Sequence, residues 1–471
     1  MSVVPESPAP VAVEAPSAEK DGKASKVKAF PPFPKLAADE FLHTSEACTE
    51  GQLDKLCDVI CDDILQACLF LDAHARVNIT AIVKARMVVV SGEVAIKATL
   101  DYDMLVRKTL QDCGYDSEEK TGIDFRSVNV VIAISEQSPD LTSALNLYYG
   151  GSGGTKFSEE SIAMPNGEFA SATGYATDET PDFMPASWKL ATALARQLSA
   201  SRRGGSIGWL KPNGKVQVTM RYRKRKDGGL EPVDVFRIAV HNSGWDPATS
   251  LPKMQEDLRQ KVVDVVVGTK TGPPAMAESS ADAGSAEKVP AVVPNEFTRL
   301  ITADTTIHVN QTTHKSNRTF VGTNSDEYQG SGSAGQKPSG DFYGGFSTVS
   351  TRVSGRDPWK VQRFGSYAAR WIAKSIVSSK LAARAQVTLS YASNYAEPCG
   401  IEIDLLGTGT AAAAEKGNLV ALVQRNFDLR IGSVVRALNL TTVNYKSLST
   451  FGHLGQGDVK AFPWEEVRPL Q

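Results

Sequence analysis

Apolar positions recur along this chain with two different periods. Leu53, Leu56, Cys57, Ile60, Cys61, Ile64, Leu65 and Cys68 fall three and four apart, the spacing of one helix face. The three cysteines on that stripe read as small core hydrophobes, not metal ligands. Strand-like runs follow at 77–83, 87–90 and 128–134. A second helical pattern covers 186–198, and then Val216, Val218, Met220 and Tyr222 alternate as a strand. Another strand ends at 238–240 and a helix covers 254–267. The last stretch holds a helix at 367–381, a strand at 385–391 and a helix at 418–427. Helices and strands alternate in three stretches of similar size, which predicts three α+β units.

The segments between them are the punctuation. Residues 1–36 are rich in Pro, Ala, Ser and Lys, with no arginine and no apolar core segment. They predict a disordered tail, neither a presequence nor a secretory signal. Residues 150–173 open on a Gly/Ser-rich mobile loop, and 268–296 read as a flexible linker or insertion. That leaves an N-terminal domain at 37–149, a central one at 174–267 and a C-terminal one at 297–471.

Charge narrows the function classes. The 471 residues carry 51 Lys+Arg against 53 Asp+Glu, a formal charge of −2, which removes the electrostatic case for a nucleic-acid binder. No apolar run reaches the ~18–20 residues of a membrane span, so a soluble protein is expected. Six cysteines without a CxxC pair point to a reducing compartment, read as the cytoplasm. RYRKRK at 221–226 runs into Asp227-Gly228-Gly229 and reads as a solvated hairpin end. GGSGG at 150–154 lacks the Lys-Ser/Thr ending of a phosphate-binding P-loop. The histidines form no HxxxH pair.

The chemistry sits in short motifs. TSEACTEGQLDK (44–55) leads into the first helix, where Glu50, Asp54 and Lys55 cluster. SEQSPD (135–140), GYATDET (174–180), WLKPNGKVQV (209–218), DFYGG (341–345), SGRDPWKVQR (354–363), SYAARWIAKS (366–375), FDLR (427–430) and FGHLGQ (451–456) follow in order. Together they resemble S-adenosylmethionine synthetase (methionine adenosyltransferase) over roughly residues 40–465. The resemblance implies a three-domain α+β fold with pseudo-threefold symmetry, pairing through broad sheet faces, and active sites shared between two subunits. It also implies transfer of the adenosyl group of ATP to the sulfur of methionine, then cleavage of the triphosphate, with Mg2+ and K+ as cofactors. Loop 150–173 falls where the family has a mobile gate, and His453 lies in a structural turn.

Carried over by position, Asp54 matches a magnesium aspartate and Lys55 the lysine beside it. Glu93 and Gln137 match methionine-holding residues, and Lys215 a phosphate-facing lysine. Phe320 matches a phenyl ring packed on substrate. Lys337, Lys360 and Asp341 match groups around the triphosphate.

The departures carry as much information. Gln52 replaces the family histidine that donates to the breaking ester oxygen and triphosphate, and Leu53 replaces the proline after it. A neutral amide cannot carry positive charge. Gln362 replaces the second magnesium aspartate, a lost carboxylate for a hard cation. Gln336 replaces a phosphate-clamping arginine. Thr80 replaces the potassium-site glutamate, Asn213 an adenine-side aspartate, Glu168 the aspartate of the GAGDQG loop, and Arg356 a lysine.

These changes predict a divergent paralogue, weak or inactive as a lone chain, that acts as a non-catalytic, regulatory or structural subunit. The rival is a divergent but active methionine adenosyltransferase. Either is expected to be an oligomer, a homodimer, one formed with an ordinary family member or a larger assembly, with Val216, Val218 and Met220 lining a sheet face between subunits. ATP and L-methionine are the expected ligands; nucleic acid and membrane are not expected partners.

Overall fold

The computed structural model describes residues 33–136, 168–244, 248–268, 297–310, 330–348, 352–393, 395–455 and 457–470. Nearly all of the expected tail, 150–167 of the gate-like loop and 269–296 of the linker lie outside the described residues, as do Gln137 and Phe320. The compact unit spans Leu36–Gln471 and holds everything discussed below.

Its principal elements alternate along the chain. The first part holds β1 (Glu40–Cys48), α1 (Leu53–Leu71), β2 (Arg76–Lys84), β3 (Met87–Ala95), α2 (Tyr102–Cys113) and β4 (Asn129–Glu136). Then come β5 (Ala170–Thr177), α3 (Ala186–Arg203), β6 (Gly214–Lys224), β7 (Leu230–Asn242), α4 (Leu251–Leu258) and β8 (Thr306–Val309). The last are β9 (Ser331–Ser333), α5 (Val361–Ser378), β10 (Arg384–Tyr391) and β11 (Gly400–Asp404).

The strands form three main sheets, and each is backed by one long helix. β1-β6-β7-β8 packs on α3, β9-β2-β3-β4 on α1, and β11-β10-β5 on α5. All three sheets draw strands from distant parts of the chain, two of them beside α1. β1 pairs antiparallel with β6, from Glu40 opposite Arg223 to Cys48 opposite Lys215. β9 pairs antiparallel with β2, placing Gly332 opposite Val83. Both exchanges converge on the start of α1, and that is where the functional residues collect.

Several expectations need revising in detail. Val216, Val218 and Met220 do not line an outer face: they are buried under α3 within the chain's own core, with Leu190, Leu194 and Leu198. Alternation announces one buried face, and here the chain covers that face itself. β3 runs on past the expected 87–90, through Ser91-Gly92-Glu93, because Gly92 lies where a Cβ would strike the Asn78 carbonyl. The 254–267 helix contains a π-helical turn at Arg259–Val263. RYRKRK does end in a β6–β7 hairpin, where Asp227 accepts a hydrogen bond from Gly229 N.

α1 is the largest surprise. Its apolar stripe is buried as expected, but so is the polar one: Asp54, Lys55, Asp58 and Asp62 are all shielded from solvent. The C-terminal segment lies over them. Ser333 N donates to Asp54 (3.1 Å), Gly335 N to Asp58 (2.8 Å) and Gly355 N to Asp62 (2.8 Å). Aspartates four apart share one helix face, so a single stripe can pin three points of a crossing chain.

Candidate active site

Gln52 opens the site. It is fully buried and caps α1: its Oε1 accepts from Lys55 N at 3.0 Å, the role an N-cap side chain plays for an unpaired backbone donor. Its Nε2 donates to Asp54 Oδ2, also at 3.0 Å. Both ends of the amide are therefore engaged within the first helical turn.

Asp54 is equally occupied. Besides Gln52 and Ser333 N, it meets the Lys337 ammonium at 3.0 Å. Burial works against its negative charge, but hydrogen bonds from Lys337 and Gln52 outweigh burial and hold its pKa below the ordinary aspartate value.

One residue on, Lys55 sits between two carboxylates, Asp341 at 2.5 Å and Asp58 at 3.3 Å. Burial disfavours the ammonium, yet the two aspartates more than offset this, so Lys55 stays protonated. Two buried carboxyls face this one ammonium, and burial raises the pKa of both.

Lys55, Lys337, Gln336 and Asp341 line a cavity of about 80 Å³, closed on another side by Glu46 and Cys48. Burial pushes the Cys48 thiol up to about 12, so it faces the lysines uncharged. Lys215 adjoins this cavity on β6, in register between Cys48 and His241.

A second group stands on the loop that enters α5. Lys360 pairs with Glu168 at 2.6 Å, and Arg356 Nη1 donates to Asn78 Oδ1. Glu93 lies opposite Asn78 on β3, and Thr80 opposite Ser91. The Gln362 side-chain oxygen is buried without a hydrogen-bond partner among the described residues. Asn213 is buried just before β6, its carbonyl accepting from Asn242 Nδ2 (3.0 Å) and Ser243 N (3.1 Å).

Five residues of the sequence reading settle into scaffold roles. Glu50, at the helix start, turns away to bind Ser199, Arg202 and Arg203 on α3. His453 is buried against Tyr367, its Nδ1 at 2.9 Å from the hydroxyl. Cys57, Cys61 and Cys68 are core residues. Asp58, Asp62 and Asn78 were not anticipated as part of the site. The 54-58-62 spacing was the available signal, and it was hidden because a polar stripe on an amphipathic helix is ordinarily read as solvated.

The donor set does not fit Mg2+. A hard cation wants free carboxylate oxygens, but those of Asp54 already accept from three donors and Gln362 offers a neutral amide. Thr80, set by the resemblance at a potassium site, brings a hydroxyl where the family has a carboxylate. Among the described residues, no three His, Cys, Asp or Glu side chains gather to hold a metal.

Models of the three S-adenosylmethionine synthetase domains match this chain in order. The N-terminal domain matches over 40–139, the central domain over 164–283 and the C-terminal domain over 325–466. The matches take in the helix start at Gln52–Lys55, β6 with Lys215, and the segment from Gln336 to Gln362. With three helix-backed sheets beneath them, they make the assignment plain: the chain belongs to the S-adenosylmethionine synthetase family.

Proposed function

We propose that this chain is an S-adenosylmethionine synthase-like protein that makes little or no product alone and serves as a non-catalytic, regulatory or structural subunit. The family reaction converts ATP, L-methionine and water to S-adenosylmethionine, phosphate and diphosphate. Members are generally dependent on Mg2+ and K+ and typically oligomeric. Forming the sulfonium releases a triphosphate, so charge moves onto the leaving oxygen and must be met by donors placed for that moment.

The observation that carries this reading is the closed set at the helix start. Gln52 is spent as a helix cap and as a donor to Asp54, and Asp54 is spent on Lys337. Gln336 and Gln362 remove a cation and a carboxylate from the same neighbourhood. Lys55, Lys215, Lys337, Arg356 and Lys360 remain as cations, so the proposal keeps binding of ATP phosphates while turnover is lost. Glu93 and Gln137 are assigned to methionine, Phe320 to packing on the substrate and Asn213 to the adenine side.

The partner is a second copy or an ordinary family member. In support, the outer face of the β2-β3-β4 sheet carries an apolar row, Ile82, Val89 and Val131, with Ile82 46% and Val131 39% exposed. Among the described residues no helix is long and apolar enough to cross a membrane, and a cytoplasmic setting is part of the proposal. So are the domain limits 37–149, 174–267 and 297–471.

The test is product formation by the purified chain with ATP, methionine, Mg2+ and K+, alone and mixed with an ordinary member. The lone chain is expected to give no detectable turnover. A rate of ~1–10 s⁻¹, ordinary for an enzyme, would replace this reading with the active-enzyme alternative.

A further inference from the structure

Arg352 matches none of the family positions named above, and among the described residues it has no ion pair or hydrogen bond. Its stem lies directly on Gly335, the residue before Gln336. A Cβ at 335 would come within 2.6–2.7 Å of Arg352 Cβ, Cγ and Cδ, and Gly335 has φ +84°. The glycine thus clears the seat for this side chain.

The loop that presents Arg352 is held firmly. Arg363, paired with buried Asp62 at 2.6 Å, donates to Val353 O (2.6 Å) and Arg356 O (2.5 Å), and Arg356 N donates to Val353 O. Two half-buried guanidiniums therefore stand on one short rigid loop. Burial, and after it the charge of Arg352, hold the Arg356 pKa below the ordinary arginine value, and Arg356 Nε has no acceptor among the described residues. Like charges held close together are unfavourable until an anion joins them.

We propose that Arg352 supplies the guanidinium that position 336 has lost, and that with Arg356 and Lys360 it clamps the oxygens of a polyphosphate chain without a metal ion. The inference rests on the retained phosphate binding of the proposed function, but not on the absence of turnover. The competing structural role is neutralisation of Asp58, whose carboxyl also feels the Arg352 charge.

Inorganic tripolyphosphate is the probe, titrated calorimetrically into the full chain in the presence of a chelator, with thermal melts as the folding control. The wild type should bind. Arg352→Ala should weaken binding about tenfold or more, and Arg352→Lys should recover part of it, keeping charge without the fork. Adding Gln336→Arg to Arg352→Ala should restore affinity, a rescue that neutralisation of Asp58 does not produce. Equal affinity of the wild type and Arg352→Ala, or a lower melting temperature with affinity unchanged, overturns the inference and leaves the proposed function standing. No binding by the wild type overturns both. Turnover with intact Arg352 dependence overturns only the inactive reading.

Discussion

The helix start and the interior of α5 are both built from buried charge, yet they treat it differently. In α5, Arg370 is fully buried and all its partners are fixed: Glu465 at 3.0 Å and the carbonyls of Tyr175, Phe183 and Asp182. Lys374 shares the same glutamate at 2.8 Å. In the candidate site, Lys55 and Lys337 at the cavity and Lys360 on the loop before α5 pair with the carboxylates of Asp341 and Asp58, Asp54, and Glu168. The scaffold uses charge to fix a fold; the pocket has folded its charge in upon itself.

Breaking the scaffold should have the largest effect. Arg370→Met removes one of the two cations on Glu465 and the donor to three carbonyls, and removing one partner of a buried pair costs ~3–5 kcal/mol. Denaturant unfolding should show that loss; a change below ~1 kcal/mol would mean the α5 pair is not what separates scaffold from pocket.

Glu179 sharpens the contrast from the other side, as a half-buried scaffold carboxyl with no ion pair among the described residues. It accepts from Thr177 Oγ1 and Ala186 N, and burial pushes its pKa up to about 7. The folded state therefore holds this proton more tightly than the unfolded chain. Its contribution is fully present below the ordinary value of 4.5 and is lost as pH rises toward 7, on the order of 3 kcal/mol across that window. Glu179→Gln should flatten that slope in unfolding measured from pH 4 to 8; an unchanged slope would assign it to other groups.

In the pocket the effects should be smaller. Gln52→Ala removes the α1 cap and should cost about 1 kcal/mol. Lys337→Met breaks a pair with one partly exposed member and should cost ~0–1 kcal/mol. If either variant unfolds the protein as Arg370→Met does, the pocket is scaffold too.

Much of this was readable before any coordinates. α1, β2, α3 and β10 announce themselves because core-facing residues repeat with the period of the element. β1 and β5 do not: EFLHTSEAC and ASATGYAT are mostly small or polar, and become strands by pairing with β6 and β10. α2 stands outside the sequence expectations although Asp101 caps it, Gly114 ends it, and Val106, Leu110 and Cys113 face the core. The site residues were legible as an ordered set of motifs. Their pairings were not, since Lys55 with Asp341 and Lys360 with Glu168 join residues far apart in the chain. The commitment of Gln52 to a cap also needed the helix start in three dimensions.

The central claim is that three glutamines, not a damaged fold, separate this chain from its working relatives. The most direct measurement is S-adenosylmethionine formation by the wild type, by Gln52→His, Gln336→Arg and Gln362→Asp singly, and by the triple variant. Groups acting as one unit are strongly non-additive. The account predicts an inert wild type, single variants near it, and a triple variant that rises well above the sum of the three. Turnover by the wild type equal to that of the triple variant would contradict it.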